Sequence, residues 1–106
     1  MASVKRNRYI LAVDHGTSAC KVALSTLLGK IVDFESHPTR VFYLPGGGAE
    51  QDPEEWWNAF LISAKKLLRR HGEKAKLIDA ICVSSTFSST VAVDRNGKHL
   101  MNSIIW

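Results

Sequence analysis

The sequence predicts an α/β domain: a mixed sheet with one packed helix. Three observations carry that prediction. Two apolar runs, residues 9–13 and 20–26, flank a short turn of small residues, the pattern of an antiparallel hairpin. A single long segment, residues 52–70, places apolar residues at helical spacing. Another apolar run, residues 77–84, follows it, and strand–helix–strand order makes that strand parallel to one already in the sheet.

At 106 residues the chain suits one domain. A core of that size buries roughly 60–70% of the surface the unfolded chain exposes. With 45% hydrophobic and 23% charged residues the composition is that of a globular domain, not a disordered or fibrous one. Part of the net charge of +4 sits in Lys5-Arg6-Arg8. No basic face with interleaved aromatics follows, so a solvated terminus is expected rather than a nucleic-acid arm. Residues 1–8 are expected to be disordered and residues 9–106 to form the domain. No window reaches the length of a membrane span, and the N-terminus lacks the apolar stretch of a signal peptide, so the cytoplasm is the expected location. Cys20 and Cys82 belong to no metal-ligand pattern and are expected as buried free thiols.

Residues 9–13 are apolar throughout, which fits a strand buried on both faces in mid-sheet. In 20–26, Cys20, Val22 and Leu24 alternate with Lys21, Ala23 and Ser25, the period of a half-buried strand. Residues 31–37 form a third strand with Val32 and Phe34 facing inward, ended by Pro38. Residues 41–43 prolong it or add a short strand. Pro45-Gly46-Gly47-Gly48 invites comparison with a phosphate cradle, but Glu50 and Asp52 follow and would repel phosphate; a flexible loop is expected through 44–48.

The helix has Asp52 as N-cap, Pro53 at its first position and Glu55 completing a capping box. Its apolar stripe is Trp56, Phe60, Ala64 and Leu67, joined by Trp57, Leu61 and Leu68, and Gly72 stops it. Residues 77–84 form a second buried strand, followed by the hydroxyl-rich run 84–90. Residues 91–94 and 99–105 flank Asn96-Gly97, a hairpin signal.

The chemistry concentrates at Asp14-His15-Gly16-Thr17-Ser18. Asp14 ends a strand, where open sheets place ligands. A carboxylate there suits Mg²⁺, usually through water. Gly16 lets the backbone approach an anion. The N–H groups of Gly16, Thr17 and Ser18 can converge on phosphate oxygens, with Lys21 supplying charge. An ordinary polar hairpin turn is the alternative on composition alone.

After an apolar strand, Asp14-His15-Gly16-Thr17-Ser18-Ala19-Cys20-Lys21 resembles the first phosphate motif of the actin, Hsp70 and sugar-kinase superfamily. Ala49-Glu50-Gln51-Asp52-Pro53-Glu54-Glu55-Trp56-Trp57 is similar to the segment opening the first helix of FGGY-type carbohydrate kinases, and argues against an actin- or Hsp70-like ATPase. Ile81-Cys82-Val83-Ser84-Ser85-Thr86 resembles their next core strand. The stretch from Val91 through Ile104-Ile105-Trp106 resembles the hairpin that follows. Together these cover nearly the whole chain from Tyr9.

The resemblance implies a ribonuclease-H-like, actin-like ATPase fold, here a truncated first domain. It implies ATP-dependent phosphorylation of a sugar or polyol by a full-length protein, with ATP and Mg²⁺ as cofactors. Asp14, Gly16, Thr17, Ser18 and Lys21 would bind the ATP phosphates, with Asp14 close to Mg²⁺. Thr86, Phe87, Ser88 and Trp106 would line the substrate site. Many relatives carry Gly-Gln and then a Met-His or Arg-Glu pair where this chain has Ser85-Thr86-Phe87-Ser88, which leaves glycerol, xylulose and gluconate undecided and keeps a non-catalytic sugar-sensing module as the alternative. The family's general base, second domain and an Asp-X-Arg group lie beyond the matching tryptophan, so the chain is expected to be an N-terminal fragment, inactive alone. With one sheet face uncovered it is expected to aggregate or pair as a homodimer. Neither nucleic acid nor membrane is expected as a partner.

Overall fold

The computed structural model describes residues 7–105. Lys5 and Arg6, from the basic cluster, therefore lie outside the described residues. Arg8 is anchored, its guanidinium paired with the Asp79 carboxylate.

The chain opens with a meander of three strands, β1 (Tyr9–His15), β2 (Ala19–Thr26) and β3 (Ile31–Pro38). Neighbours are antiparallel, with Val13 opposite Val22 and Asp14 opposite Lys21. Two short strands follow, β4 (Phe42–Tyr43) and β5 (Ala49–Gln51), and then helices α1 (Pro53–Arg70) and α2 (Gly72–Ala75). The chain returns as β6 (Ile78–Ser85), parallel to β1, and ends near β7 (Ser103–Ile104). The main sheet has the order β3-β2-β1-β6, and β4-β5-β7 forms a second, small sheet. The predicted hairpin, third strand, crossover helix and parallel strand are all present.

The core forms where one face of the main sheet meets α1. Leu11 and Val13 of β1 and Cys20, Val22 and Leu24 of β2 are buried against Ala59, Ala64 and Leu67. The alternation in β2 is the one the sequence predicts. On the helix the closest seam is Ala59, Ser63 and Leu67, spaced by four residues. Small side chains at the first two positions let the helix lie close to the strands. Trp56 and Phe60 are half-buried on the flank of that seam, while Trp57 stands 57% exposed beside Phe60, not in the core.

Several expectations are corrected. Phe34 is 66% exposed rather than inward. The ladder shifts between Leu24 and Ser25, leaving Val32 as the extra residue of a bulge, so Asp33, not Phe34, stands opposite Leu24 on the helix side. That edge of the interface is ionic. Arg70 donates to Asp33 (3.0 Å) and Glu35 (2.5 Å), and His71 Nε2 lies 2.8 Å from Asp33. Asp52 caps α1 by accepting from the Glu54 N–H, as expected, but Glu55 does not close a capping box. Its carboxylate instead accepts from the Arg40 backbone N–H and guanidinium. The helix ends at His71, and Gly72 starts α2 instead of acting as the stop.

The glycine segment is a defined turn between β4 and β5, closed by Leu44 N–H to Gly48 O at 2.8 Å. Gly46 and Gly47 have φ of 93° and 96°, a region open to glycine at little cost. Residues 49–51 form a strand because β5 pairs on both sides, with β4 and β7. The final hairpin exists, but as isolated bridges Thr90–Ile104 and Val93–His99 around a turn in which Asp94 accepts from the Asn96 and Lys98 N–H groups. Finally, β6 is an exposed edge strand. Ile81, Cys82 and Val83 are exposed, so only Cys20 of the two thiols is buried. No helix among the described residues is long and apolar enough to cross a membrane.

Candidate functional site

The C-terminal ends of the parallel pair β1 and β6 lie side by side, with Asp14 opposite Ser84. Asp14 is on the sheet face away from α1. Its carboxylate accepts from Lys21 Nζ (3.2 Å) and Ser84 Oγ (3.2 Å), on the strands to either side. The pair with Lys21 is more than half exposed, so its own contribution to stability is small. The next residue, His15, faces the helix side and meets the Trp56 ring edge-on at 4.7 Å. Burial pulls its imidazolium below the usual range, opposed by the Asp14 charge. The same desolvation pushes the Cys20 thiol up.

The turn after His15 is held from behind. Thr17 O accepts from Gln51 Nε2 (2.7 Å) and Thr39 Oγ1 (3.2 Å), and Ser18 O accepts from the Thr39 N–H (3.0 Å). In a trans peptide the carbonyl and the following N–H point opposite ways. Drawing Thr17 O toward Gln51 therefore directs the Ser18 N–H away from it, toward the outer side of the turn. The Gly16 N–H is engaged within the turn by Ala19 O at 3.1 Å, so it is not among the donors facing outward, contrary to expectation. A Cβ on Gly16 would come within 3.3 Å of both Ala19 O and Lys21 Nζ, so a side chain there would crowd the turn and press on the lysine.

The turn and the hydroxyl run after β6 form one cleft of about 470 Å³, lined by Asp14, His15, Gly16, Thr17, Ser85, Thr86, Phe87 and Ser88. Thr86 Oγ1 donates to His15 O at 3.0 Å and ties the two loops together. The structure thus brings Asp14, Gly16 and Thr17 together with Thr86, Phe87 and Ser88. Ser18 and Lys21 are adjacent to this cleft without lining it. Phe87 is 90% exposed at its rim. Trp106 lies outside the described residues. Among the described residues no cluster of three or more His, Cys, Asp or Glu could hold a metal ion. Asp14 is the sole acidic side chain lining the cleft, which fits a cation held jointly with phosphate rather than by a protein cage.

Gln51 is the residue that sequence reasoning passed over. It is 1% exposed; besides Thr17 O its amide donates to Arg40 O (3.1 Å), and its Oε1 accepts from the Trp56 indole at 3.2 Å. The one signal was a neutral polar residue just before the N-cap, in a stretch too short to show strand alternation.

The sequence profile described as the FGGY family of carbohydrate kinases, N-terminal domain, matches residues 9–106. The chain belongs to the FGGY family of carbohydrate kinases. Among curated relatives, a xylulose kinase of Staphylococcus epidermidis is 32% identical over 97 residues, covering 92% of this chain and 20% of the relative. A glycerol kinase of Thermococcus gammatolerans is 31% identical over 99 residues, covering 93% and 20%. Among solved structures, a xylulose kinase from Rhodospirillum rubrum superposes with a TM-score of 0.84 at 30% identity, covering 92% of this chain and 20% of that one. A gluconate kinase from Lactobacillus acidophilus gives 0.77 at 30%, covering 92% and 19%. The FGGY chain described here therefore spans about a fifth of the length of the relatives it matches. Its mixed sheet and packed helix are those of the actin-like ATPase fold of these kinases.

Proposed function

We propose that the whole protein transfers the terminal phosphoryl group of ATP to a hydroxyl of a small sugar or polyol, and that these 106 residues supply its first phosphate loop and part of its acceptor site. The observation that carries this reading is the shared cleft, in which a carboxylate, a glycine turn and a hydroxyl run meet at the ends of β1 and β6. Thr17 and Ser18 bind the phosphate chain through backbone N–H groups and hydroxyls, with Lys21 adding charge at the base of the turn. Gly16 keeps that approach open. Asp14 holds Mg²⁺ through water, and the bound ion neutralises charge developing on the transferring phosphate. Thr86 and Ser88 hydrogen-bond the acceptor, and Phe87 and Trp106 offer it flat apolar faces.

The donors are pre-positioned. The carbonyls of the turn are tied to Gln51 and Thr39, so the loop does not reorganise when phosphate arrives. No carboxylate in the cleft other than Asp14 is available to take the acceptor proton. The base is therefore supplied from outside these residues, and the chain alone is inactive. The site is in the cytoplasm, where ATP is available.

The test is ATP consumption across a panel of sugars and polyols, by the whole protein and by the 106-residue chain separately. Acceptor-dependent turnover by the whole protein, none by the chain, and a loss of roughly 10²-fold on Thr17→Val support the reading. Acceptor binding without turnover by the whole protein would favour a sugar sensor. Turnover by the chain alone would contradict the division of labour.

A further inference from the structure

A row of polar side chains crosses the face of the main sheet turned away from α1. Lys21 stands opposite Asp14 in the antiparallel pair of β2 and β1, and Ser84 stands opposite Asp14 in the parallel pair of β1 and β6. Residues directly opposite each other share a face, so these side chains meet. Both carboxylate oxygens of Asp14 are engaged: Oδ2 accepts from Lys21 Nζ and Oδ1 from Ser84 Oγ, each at 3.2 Å. Lys21 Nζ also lies 3.3 Å from the point where a Cβ on Gly16 would sit. The ammonium thus rests against both the carboxylate assigned to the metal and the turn assigned to phosphate.

In that position Lys21 neutralises Asp14. A divalent cation approaching Asp14 meets a carboxylate that is already paired, with a like charge beside it. No second acidic side chain lines the cleft to offset that repulsion. Phosphate changes the balance. Lysine is a point charge on a flexible stem, and its pair with Asp14 is more than half exposed, so it exchanges partners at little cost. A phosphate chain on the Thr17 and Ser18 N–H groups offers the ammonium a partner of higher charge.

Building on the proposed kinase function, we infer that Lys21 is an exchangeable counter-ion: it holds Asp14 in the nucleotide-free chain and moves to phosphate when nucleotide binds, which frees Asp14 for Mg²⁺. Ser84 keeps its hold on Oδ1 and fixes the carboxylate while Oδ2 changes partner. Lys21 is then a positioning residue that screens Asp14 from a bare metal ion and makes its metal binding depend on phosphate.

The experiment titrates the 106-residue chain with Mn²⁺ alone and, separately, with Mg·ATP, following the amides of residues 14–18 and the Lys21 ε-CH₂ signals by NMR. Mn²⁺ broadens signals near it, and Asp14→Asn subtracts ions held by other acidic side chains. Lys21→Met is expected to bind Mn²⁺ at Asp14 at least about fivefold more tightly than the parent and Mg·ATP at least about fivefold more weakly, the lower end of couplings between sites. The opposite signs separate this role from a structural one, because a damaged turn would weaken both. Lys21→Arg keeps the charge and is expected to follow the parent in both titrations. In the parent, Mg·ATP is expected to move the Lys21 ε-CH₂ signals. An unchanged or weaker Mn²⁺ affinity in Lys21→Met overturns the inference, as do Lys21 signals that stay in place when Mg·ATP binds. In either case a Mg·ATP response at Thr17 and Ser18 leaves the phosphate loop standing. No such response in the parent removes the kinase reading instead, while a Mn²⁺ gain in Lys21→Met still supports Lys21 as the counter-ion of Asp14.

Discussion

Replacing Gln51 with methionine should loosen the turn at residues 16–18, the proposed phosphate loop. Methionine keeps nearly the same volume, so the effect isolates the hydrogen bonds. Four groups lose a partner: Thr17 O, Arg40 O, Thr39 Oγ1 and the Trp56 indole N–H. An unsatisfied buried group costs about 1–3 kcal/mol. Thr17 O keeps Thr39 Oγ1, and the half-buried indole can reach water, so the total should be about 2–4 kcal/mol rather than the full sum. At roughly 4–8 °C per kcal/mol for a domain of this size, Tm should fall by about 8–32 °C. Thermal and urea melts followed by circular dichroism measure this, and the Thr17 and Ser18 amide shifts report whether the turn has moved. Gln51→Glu should be no better, because a carboxylate oxygen would face two carbonyl oxygens. A Gln51→Met melt within about 3 °C of the parent, with unchanged turn amides, would refute the reasoning.

Stability should fall in two steps on acidification. His15 is held below its ordinary 6.5 by burial, so the unfolded chain takes up that proton first and stability drops as pH falls through about 6.5. Asp33 is held well below its ordinary 3.8, first by Arg70 and then by His71, so its contribution is present above that value and lost as pH falls further. Urea midpoints against pH should lose the upper step in His15→Gln and the lower step in Asp33→Asn. The open β6 edge, with Ile81 57% and Val83 66% exposed, should drive concentration-dependent self-association in sedimentation velocity, reduced by Ile81→Lys. A monodisperse monomer at all concentrations would count against it. Gly16→Val should displace Lys21 and weaken phosphate binding by at least tenfold in a pyrophosphate titration, because its Cβ meets backbone as well as a flexible side chain; unchanged affinity would show that the turn tolerates bulk.

The strand order and the helix were legible because periodicity reports which face is buried. Cys20, Val22 and Leu24 alternate cleanly, and Asp52-Pro53 marks the helix start chemically. Phe34 was misplaced because a bulge at Val32 shifts the alternation, and nothing in 31–37 announces the extra residue. Trp57 and the strand at 77–84 were read as core because hydrophobicity shows that a residue can be buried, not what covers it. Glu55 and Gln51 were missed for a related reason: their partners, Arg40 and Thr17, come from distant segments that only the fold brings near. For the site, Asp14, Gly16 and Thr17 follow from a motif within one turn. The contact of Ser84 with Asp14 needs the pairing of β6 with β1, which no sequence spacing states.

The most direct test of the central claim is the response of backbone amides in the 106-residue chain to Mg·ATP. The shifts should cluster at Thr17 and Ser18, with Asp14, Lys21 and Thr86 beside them. Thr17→Val should weaken them, and Asp14→Asn should abolish their dependence on Mg²⁺. Shifts scattered over the basic surface of α1 around Arg69 and Arg70, indifferent to both substitutions, would contradict a phosphate-binding turn at the ends of β1 and β6.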